Sequence, residues 1–340
     1  MDKLRRYILS NLSLLFFSIF LPLFAIASVI FMIKLATYTA VIQLSLAEMG
    51  KLYLFVLPEL LFYTLPISFF VSGALTLYRL SNDNEMVVVF SLGIPPRFIA
   101  RVLAAPALLL SLLLFIDYLI VTPYIKTISA NFLDQKKAEA KFNLSASEFG
   151  HNFGEWMLFI NKSDNAERAY GDIVLFSKEM KDEILISAKS AELINNNGVL
   201  QFRLSKGESY SYNDEVFKQM PFETAYINDM MSTEQTRYVD TLDYWTNEDR
   251  RDKKNQLLIT NTLLSLFPLL SVWLMIALGV VHARHQKRWI YLWLFLSVIG
   301  FYAAAIITQQ WLSFHAIWAV SLGWLAITYA FYVRLVGRRF

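Results

Sequence analysis

Long uncharged apolar runs occupy the first third and the last quarter of the chain, and a polar stretch with strand-like alternation lies between them. From Tyr7 to Ile33 no side chain is charged. As a helix rising about 1.5 Å per residue, that run exceeds a hydrocarbon core of about 30 Å. Leu52 to Tyr78 is broken only by Glu59, Val102 to Tyr124 only by Asp117, and Asn255 to Val281 carries no charge. Trp289 to Val333 is uncharged over 45 positions, about twice one crossing, so it is predicted to fold back near Gln309, Gln310 and Ser313. The pattern predicts six spans, three on each side of the polar middle. They are expected as helices, because backbone groups in lipid have no water to bond.

The middle, from about Thr127 to Asp252, begins with a helical continuation of the third span over Ser129 to Lys141. Alternating segments follow at Trp156–Ile160, Ile173–Phe176, Ile184–Leu193, Val199–Leu204 and Val216–Ile227. Turn-forming residues at Lys162–Asn165, Asn195–Gly198 and Tyr212–Asp214 separate them, which predicts an all-β sandwich or incomplete barrel. The expected organisation is residues 1–126 with three spans, 127–254 as the inserted β domain, and 255–340 with three further spans.

Composition agrees with a membrane protein: 56% of the 340 residues are hydrophobic and only 17% charged, with a mean hydropathy of +0.42. Lys3, Arg5, Arg6 and the Ala25-Ile26-Ala27 triplet imitate a secretion signal. The apolar run continues past that triplet, so the first span is expected to stay as an uncleaved anchor. The short loops on the N-terminal side carry 12 basic side chains against Asp2, Asp83 and Glu85, leaving 19 basic and 25 acidic residues elsewhere. That segregation predicts cytoplasmic termini and a middle domain outside the cytoplasm. The net charge of +3 points to no nucleic acid partner.

Candidate chemistry is sparse. With no cysteine, thiolate metal sites and thiol nucleophiles are excluded. No phosphate-cradling Gly-x-x-x-x-Gly-Lys string occurs, so ATP hydrolysis is not expected in this chain, and no cofactor is implied. The four histidines never take a metal-protease spacing. His282 and His285 sit among Arg284, Lys287 and Arg288, a cationic setting that repels a divalent ion.

The most informative stretch is the connector between spans two and three, Tyr78 to Arg97. A short helix is predicted over 82–93, capped by Ser81 or Asn82 and ended by Gly93 and Pro95. Met86, Val87, Val89, Phe90 and Leu92 make it too apolar for a solvated loop. It is expected either to lie on lipid or to dock into a groove of a cytoplasmic protein, with Glu85 reaching a basic residue there.

The ordered strings Leu57-Pro58-Glu59, Leu65-Pro66-Ile67-Ser68, Leu80, Glu85 and Gly93 resemble the LptF/LptG (YjgP/YjgQ) permease family of the lipopolysaccharide export ABC transporter. Pro123, Ala138-Glu139-Ala140-Lys141 and Phe149 are similar to the LptF branch, and Ile186 to Glu192 and Leu204 to Tyr210 to strands of the family's periplasmic domain. The Pro95-Pro96 pair departs from the single helix breaker more typical there.

The resemblance implies a six-helix (3+3) polytopic membrane protein with an inserted periplasmic jellyroll-like domain. It would sit in the inner membrane as a non-catalytic subunit. Implied partners are a homologous LptG-like permease, an LptB-like cytoplasmic ATPase dimer, an LptC-like subunit, a periplasmic bridge protein and lipopolysaccharide as cargo. Glu85, Val89 and Gly93 would form the ATPase-coupling helix. Lys34 has two readings, a snorkelling anchor at the span end or a cavity cation for a lipid phosphate. Two rival functions stand beside transport: a receptor with a periplasmic sensor domain, whose cytoplasmic segments are too short for an output domain, and a membrane-embedded transferase, supported only by Asp117. Asp117 and Glu59 are expected to face the bundle interior or an interface.

Overall fold

A computed structural model describes residues 2–39, 44–141, 151–153, 156–164, 169–177, 183–196, 199–213, 216–228, 244–245, 251–280 and 289–337. The chain divides into a helical unit (Met1–Thr37, Ser45–Thr127 and Val239–Phe340) and a β unit (Tyr38–Leu44 with Ile128–Tyr238).

In the helical unit, α1 (Asp2–Thr39) and α2 (Leu46–Asn82) are long enough to cross a bilayer with residues to spare. Ser45 and Glu48 start α2 with a reciprocal capping box. A short helix α3 (Glu85–Ser91) precedes α4 (Pro96–Ile116), which passes through a π-helical turn (Asp117–Val121) into α5 (Thr122–Lys141). The expected helical extension of span three is present. After the β unit come α6 (Arg251–Leu270), α7 (Val272–Gly279), α8 (Ile290–Leu312) and α9 (His315–Tyr332), with a final π turn over Val333–Gly337. Ser313, at φ +47°, reverses the chain between α8 and α9 where the polar residues predicted a hairpin.

Five of these helices are long and apolar enough to span by themselves. Among the described residues the pair α6 and α7, bent by 45°, passes the same test when its two helices are taken together, which makes the number of spans five to six. The bend has a local cause. Pro268 lacks an amide hydrogen and so removes a helical bond one turn back. The polar groups near the break are met from α9, where Trp324 Nε1 donates to Ser271 Oγ at 3.1 Å and Thr328 Oγ1 to the Leu270 carbonyl at 3.4 Å.

Aromatic rings tie the helices together. Phe70 of α2 meets Phe267 of α6 with centroids 5.2 Å apart, Phe267 meets Phe301 of α8 at 4.8 Å, and Phe301 meets Trp324 at 5.1 Å. Helices α2 and α7 approach so closely that a Cβ on Gly279 would lie 2.6 Å from both the Ala74 carbonyl oxygen and Leu77 Cβ. Gly279→Ala is therefore expected to cost about 1–3 kcal/mol through overpacking, read as a lower thermal midpoint of the purified permease. An unchanged midpoint would mean that the two helices have room to part. Gly73 is more tolerant, because its nearest neighbour is the flexible Met275 side chain.

The β unit holds one antiparallel sheet whose order follows the chain: β1 (His151–Phe153), β2 (Trp156–Asp164), β3 (Ala169–Ser177), β4 (Glu183–Asn196), β5 (Val199–Asn213) and β6 (Val216–Asn228). Among the described residues it is a single meander, not two packed sheets. Strand β5 runs nine residues beyond its expected end at Leu204, and β1 was not expected. Leu158, Ile173, Leu175, Phe202 and Leu204 form the sealed centre of one face.

The alternation changes phase along one line across the sheet. Pairing jumps from Gly171↔Ser190 to Ile173↔Ala188 and from Ser190↔Ser205 to Ala188↔Gly207, so Asp172, Lys189 and Lys206 fall outside the ladder. Asp172 and Lys206 both take φ +51°. The register is the same on both sides of this line, so no residue is inserted. The left-handed backbone at Asp172 and Lys206 interrupts the pleat, and the buried positions step from Tyr170 to Ile173 and from Ala188 to Ala191, a crease that keeps apolar residues on one side. Gly207 sits in the crease, where a Cβ would come within 2.3 Å of the Ser187 carbonyl oxygen.

Candidate functional site

The connector between α2 and α4 is built locally. Helix α2 continues through Ser81, which is buried, and Asn82, so neither caps the short helix as expected. The turn instead closes with the Asp83 amide bonded to the Arg79 carbonyl at 3.0 Å and the Asn84 amide to that of Ser81 at 3.1 Å. Asn84 takes φ +59°, a left-handed conformation that asparagine tolerates, and this redirects the chain into α3. At the other end the Gly93 amide bonds to the Phe90 carbonyl at 3.0 Å, and Gly93 adopts φ +79°. Pro95 then caps α4 and a buried Pro96 fills its first turn, where a missing amide hydrogen is harmless.

Two faces of α3 have different fates. Met86, only 2% exposed, and Phe90, one turn on, pack into the helical core. Val88 and Leu92, also one turn apart, stand 58% and 74% exposed. Val89 is half-buried between the two faces, and Gly93 is exposed with open space around it. The apolar residues expected to act together thus divide into anchors and an outward pair. Val88, which the sequence reading did not single out, belongs to that pair.

Glu85 opens α3 and is half-buried. Its Oε2 accepts a hydrogen bond from the Tyr7 hydroxyl at 2.8 Å, across 78 residues of sequence. Arg79 and Asp83 form an exposed ion pair nearby, at 3.9 Å. Such a pair contributes little to stability, but it leaves a mixed-charge rim beside the two exposed apolar side chains.

Lys34 lies near the far end of α1 and is exposed. The 27 residues between Tyr7 and Lys34 correspond to about 40 Å of helix, so the Glu85 and Lys34 sites stand at opposite ends of one rod. Near Lys34, α1 touches the start of α2 through the Ser28 and Tyr53 hydroxyls, 2.9 Å apart, and the rings of Phe31 and Tyr53. Asp117 turns one carboxylate oxygen, Oδ2, into a buried position at the π turn, whereas Glu59 is exposed on the surface of this chain. That turn is secured by Trp245, whose indole donates to the Leu119 carbonyl at 3.1 Å, and by the Tyr118 and Thr262 hydroxyls at 2.5 Å.

In the β unit a cavity of about 760 Å³ follows the crease, bordered by Phe159, Asp172, Val174, Lys189, Lys206 and Tyr210. The Tyr210 hydroxyl donates to the Glu208 carboxylate, which raises the tyrosine pKa. Among the described residues no cluster of His, Asp and Glu could hold a metal ion. The loop with His282 and His285, the strings around Phe149 and the turn at Asn197–Gly198 lie outside the described residues.

No curated protein matches the chain. The family model for the lipopolysaccharide export system permease LptF/LptG matches residues 6–333, which takes in both units and the connector. It does not separate the two branches. The chain belongs to the LptF/LptG family of lipopolysaccharide export permeases.

Proposed function

We propose that this inner-membrane permease works as one of two homologous subunits of an ABC transporter, extracts lipopolysaccharide from the membrane and hands it to a periplasmic bridge. The connector carries the proposal. Its inner face is anchored by Met86 and Phe90, while Val88 and Leu92 are exposed as an apolar pair in the same short segment as the half-buried acid Glu85. Such a face suits a groove on a soluble protein with a basic residue at its rim, and a cytoplasmic LptB-like ATPase pair is the partner that completes it. The excess of basic residues in the short loops supports a cytoplasmic connector and termini and a periplasmic β unit.

On this reading the homologous partner is LptG-like, and this chain takes the LptF role on the strength of its Pro123 and Ala138–Lys141 strings. Its β unit meets an LptC-like subunit or bridge protein along an unpaired sheet edge. The exposed apolar faces of α1 and α8, among them Phe17, Ile30 and Phe295, receive acyl chains. Lys34 meets an anionic headgroup at the periplasmic end of α1.

Photo-crosslinking along α1 in intact cells tests cargo contact. Adducts with lipopolysaccharide are expected next to Lys34, and Lys34→Ala is expected to reduce them severalfold with subunit abundance unchanged. Unaltered adducts would make Lys34 a headgroup anchor only. A complete lack of adducts along α1 would contradict extraction through this face.

A further inference from the structure

Helix α1 is held in the helical unit mainly near its two ends. At the first end Ile8 and Leu12 enter the core, with Leu4 and Leu9 packed beside them. Through its middle Leu14, Phe17, Leu21, Ile26, Val29 and Ile30 are exposed. Tyr7 precedes the buried Ile8 on the same helical turn, so its backbone is anchored there, while the residue itself is 44% exposed; the Asn11 side-chain amide donates to the Tyr7 backbone carbonyl at 3.1 Å. From there the hydroxyl reaches the Glu85 carboxylate.

We propose that Tyr7 is a positioning residue for the ATPase-coupling acid: its hydroxyl holds the Glu85 carboxylate in the orientation that the ATPase engages, and ties the first span to the connector. A glutamate at the start of a short surface helix otherwise samples several rotamers, and each must be given up on docking. A carboxylate has about four lone-pair sites and the tyrosine uses one, so a guanidinium or ammonium can still bind the rest. Because α1 also carries Lys34 about 40 Å away, displacement of Glu85 during the nucleotide cycle would pull directly on the helix that reaches the cargo end.

The inference rests on the docking reading of Glu85, and a double-mutant cycle in the assembled complex separates the two. Wild type, Tyr7→Phe, Glu85→Ala and the double variant would be titrated with ATPase, following lipopolysaccharide-stimulated ATP turnover and its half-saturation point. Tyr7→Phe keeps the ring and its packing and removes only the hydroxyl. It is expected to raise the half-saturation point about three- to tenfold, the scale of one hydrogen bond, and to change it less than twofold once Glu85 is Ala. If Glu85→Ala weakens the ATPase and Tyr7→Phe does nothing, or acts equally in both backgrounds, the positioning role is overturned while docking stands. An inert Glu85→Ala would overturn docking and the positioning role together.

Discussion

Glu85→Arg is expected to strip the ATPase from the purified permease and abolish lipopolysaccharide-stimulated ATP turnover, while the permease itself stays folded. Glu85 is only half-buried in the free chain and accepts a hydrogen bond from the Tyr7 hydroxyl, so reversing its charge leaves no buried charge behind in the core. Against a basic residue of the ATPase the same change replaces attraction with repulsion. Losing one member of a hydrogen-bonded charge pair at an interface costs about 2–5 kcal/mol, roughly thirtyfold or more in affinity. The measurement is ATPase retention on the affinity-purified variant, with its thermal midpoint as control. Full retention with normal turnover would remove Glu85 from the docking role.

The second large effect is expected from the apolar pair. Val88→Asp combined with Leu92→Asp should prevent ATPase association to a comparable degree, because full burial of a Val or Leu side chain contributes about 1.5–3 kcal/mol and a desolvated carboxylate opposes it further. Both positions are exposed, so the free permease should keep its stability. Met86→Asp would behave differently. That side chain is part of the core, and a charge there should lower abundance and thermal midpoint before docking is ever tested. A surface lying on lipid instead of protein predicts the reverse for Val88 and Leu92: the double variant would still bind the ATPase and would only loosen from detergent or bilayer.

The spans were legible because an uncharged run of more than twenty residues has few physical alternatives. Their interruptions were harder to read. Pro268 was visible in the sequence, but hydropathy does not register a bend, so two helices meeting at 45° looked like one continuous run. In the β unit the level of Asp172, Lys189 and Lys206, outside the ladder and with Asp172 and Lys206 in left-handed backbone, breaks the two-residue alternation without shifting the register and turns it into apparent noise. The polar run Ser205 to Asn213 therefore looked like the end of a strand, although its backbone pairs on both sides with β4 and β6.

The connector shows the same division between local and distant information. Its existence and its Gly93 exit follow from neighbouring residues. Which face turns inward does not, since every position from Met86 to Phe90 is apolar and a seven-residue helix offers no longer pattern to decide. Tyr7 gave no signal at all: its partner is 78 residues away, and an aromatic near a span end is expected for interfacial reasons alone.

Affinity purification of this chain from its native membrane, without overexpressing any other component, tests the central claim most directly. A homologous six-span subunit and a small soluble ATPase should emerge with it in fixed ratio, and the ATPase should be lost from the Glu85→Arg version. Recovery of the wild-type chain by itself, still able to move lipopolysaccharide after reconstitution, would contradict the account.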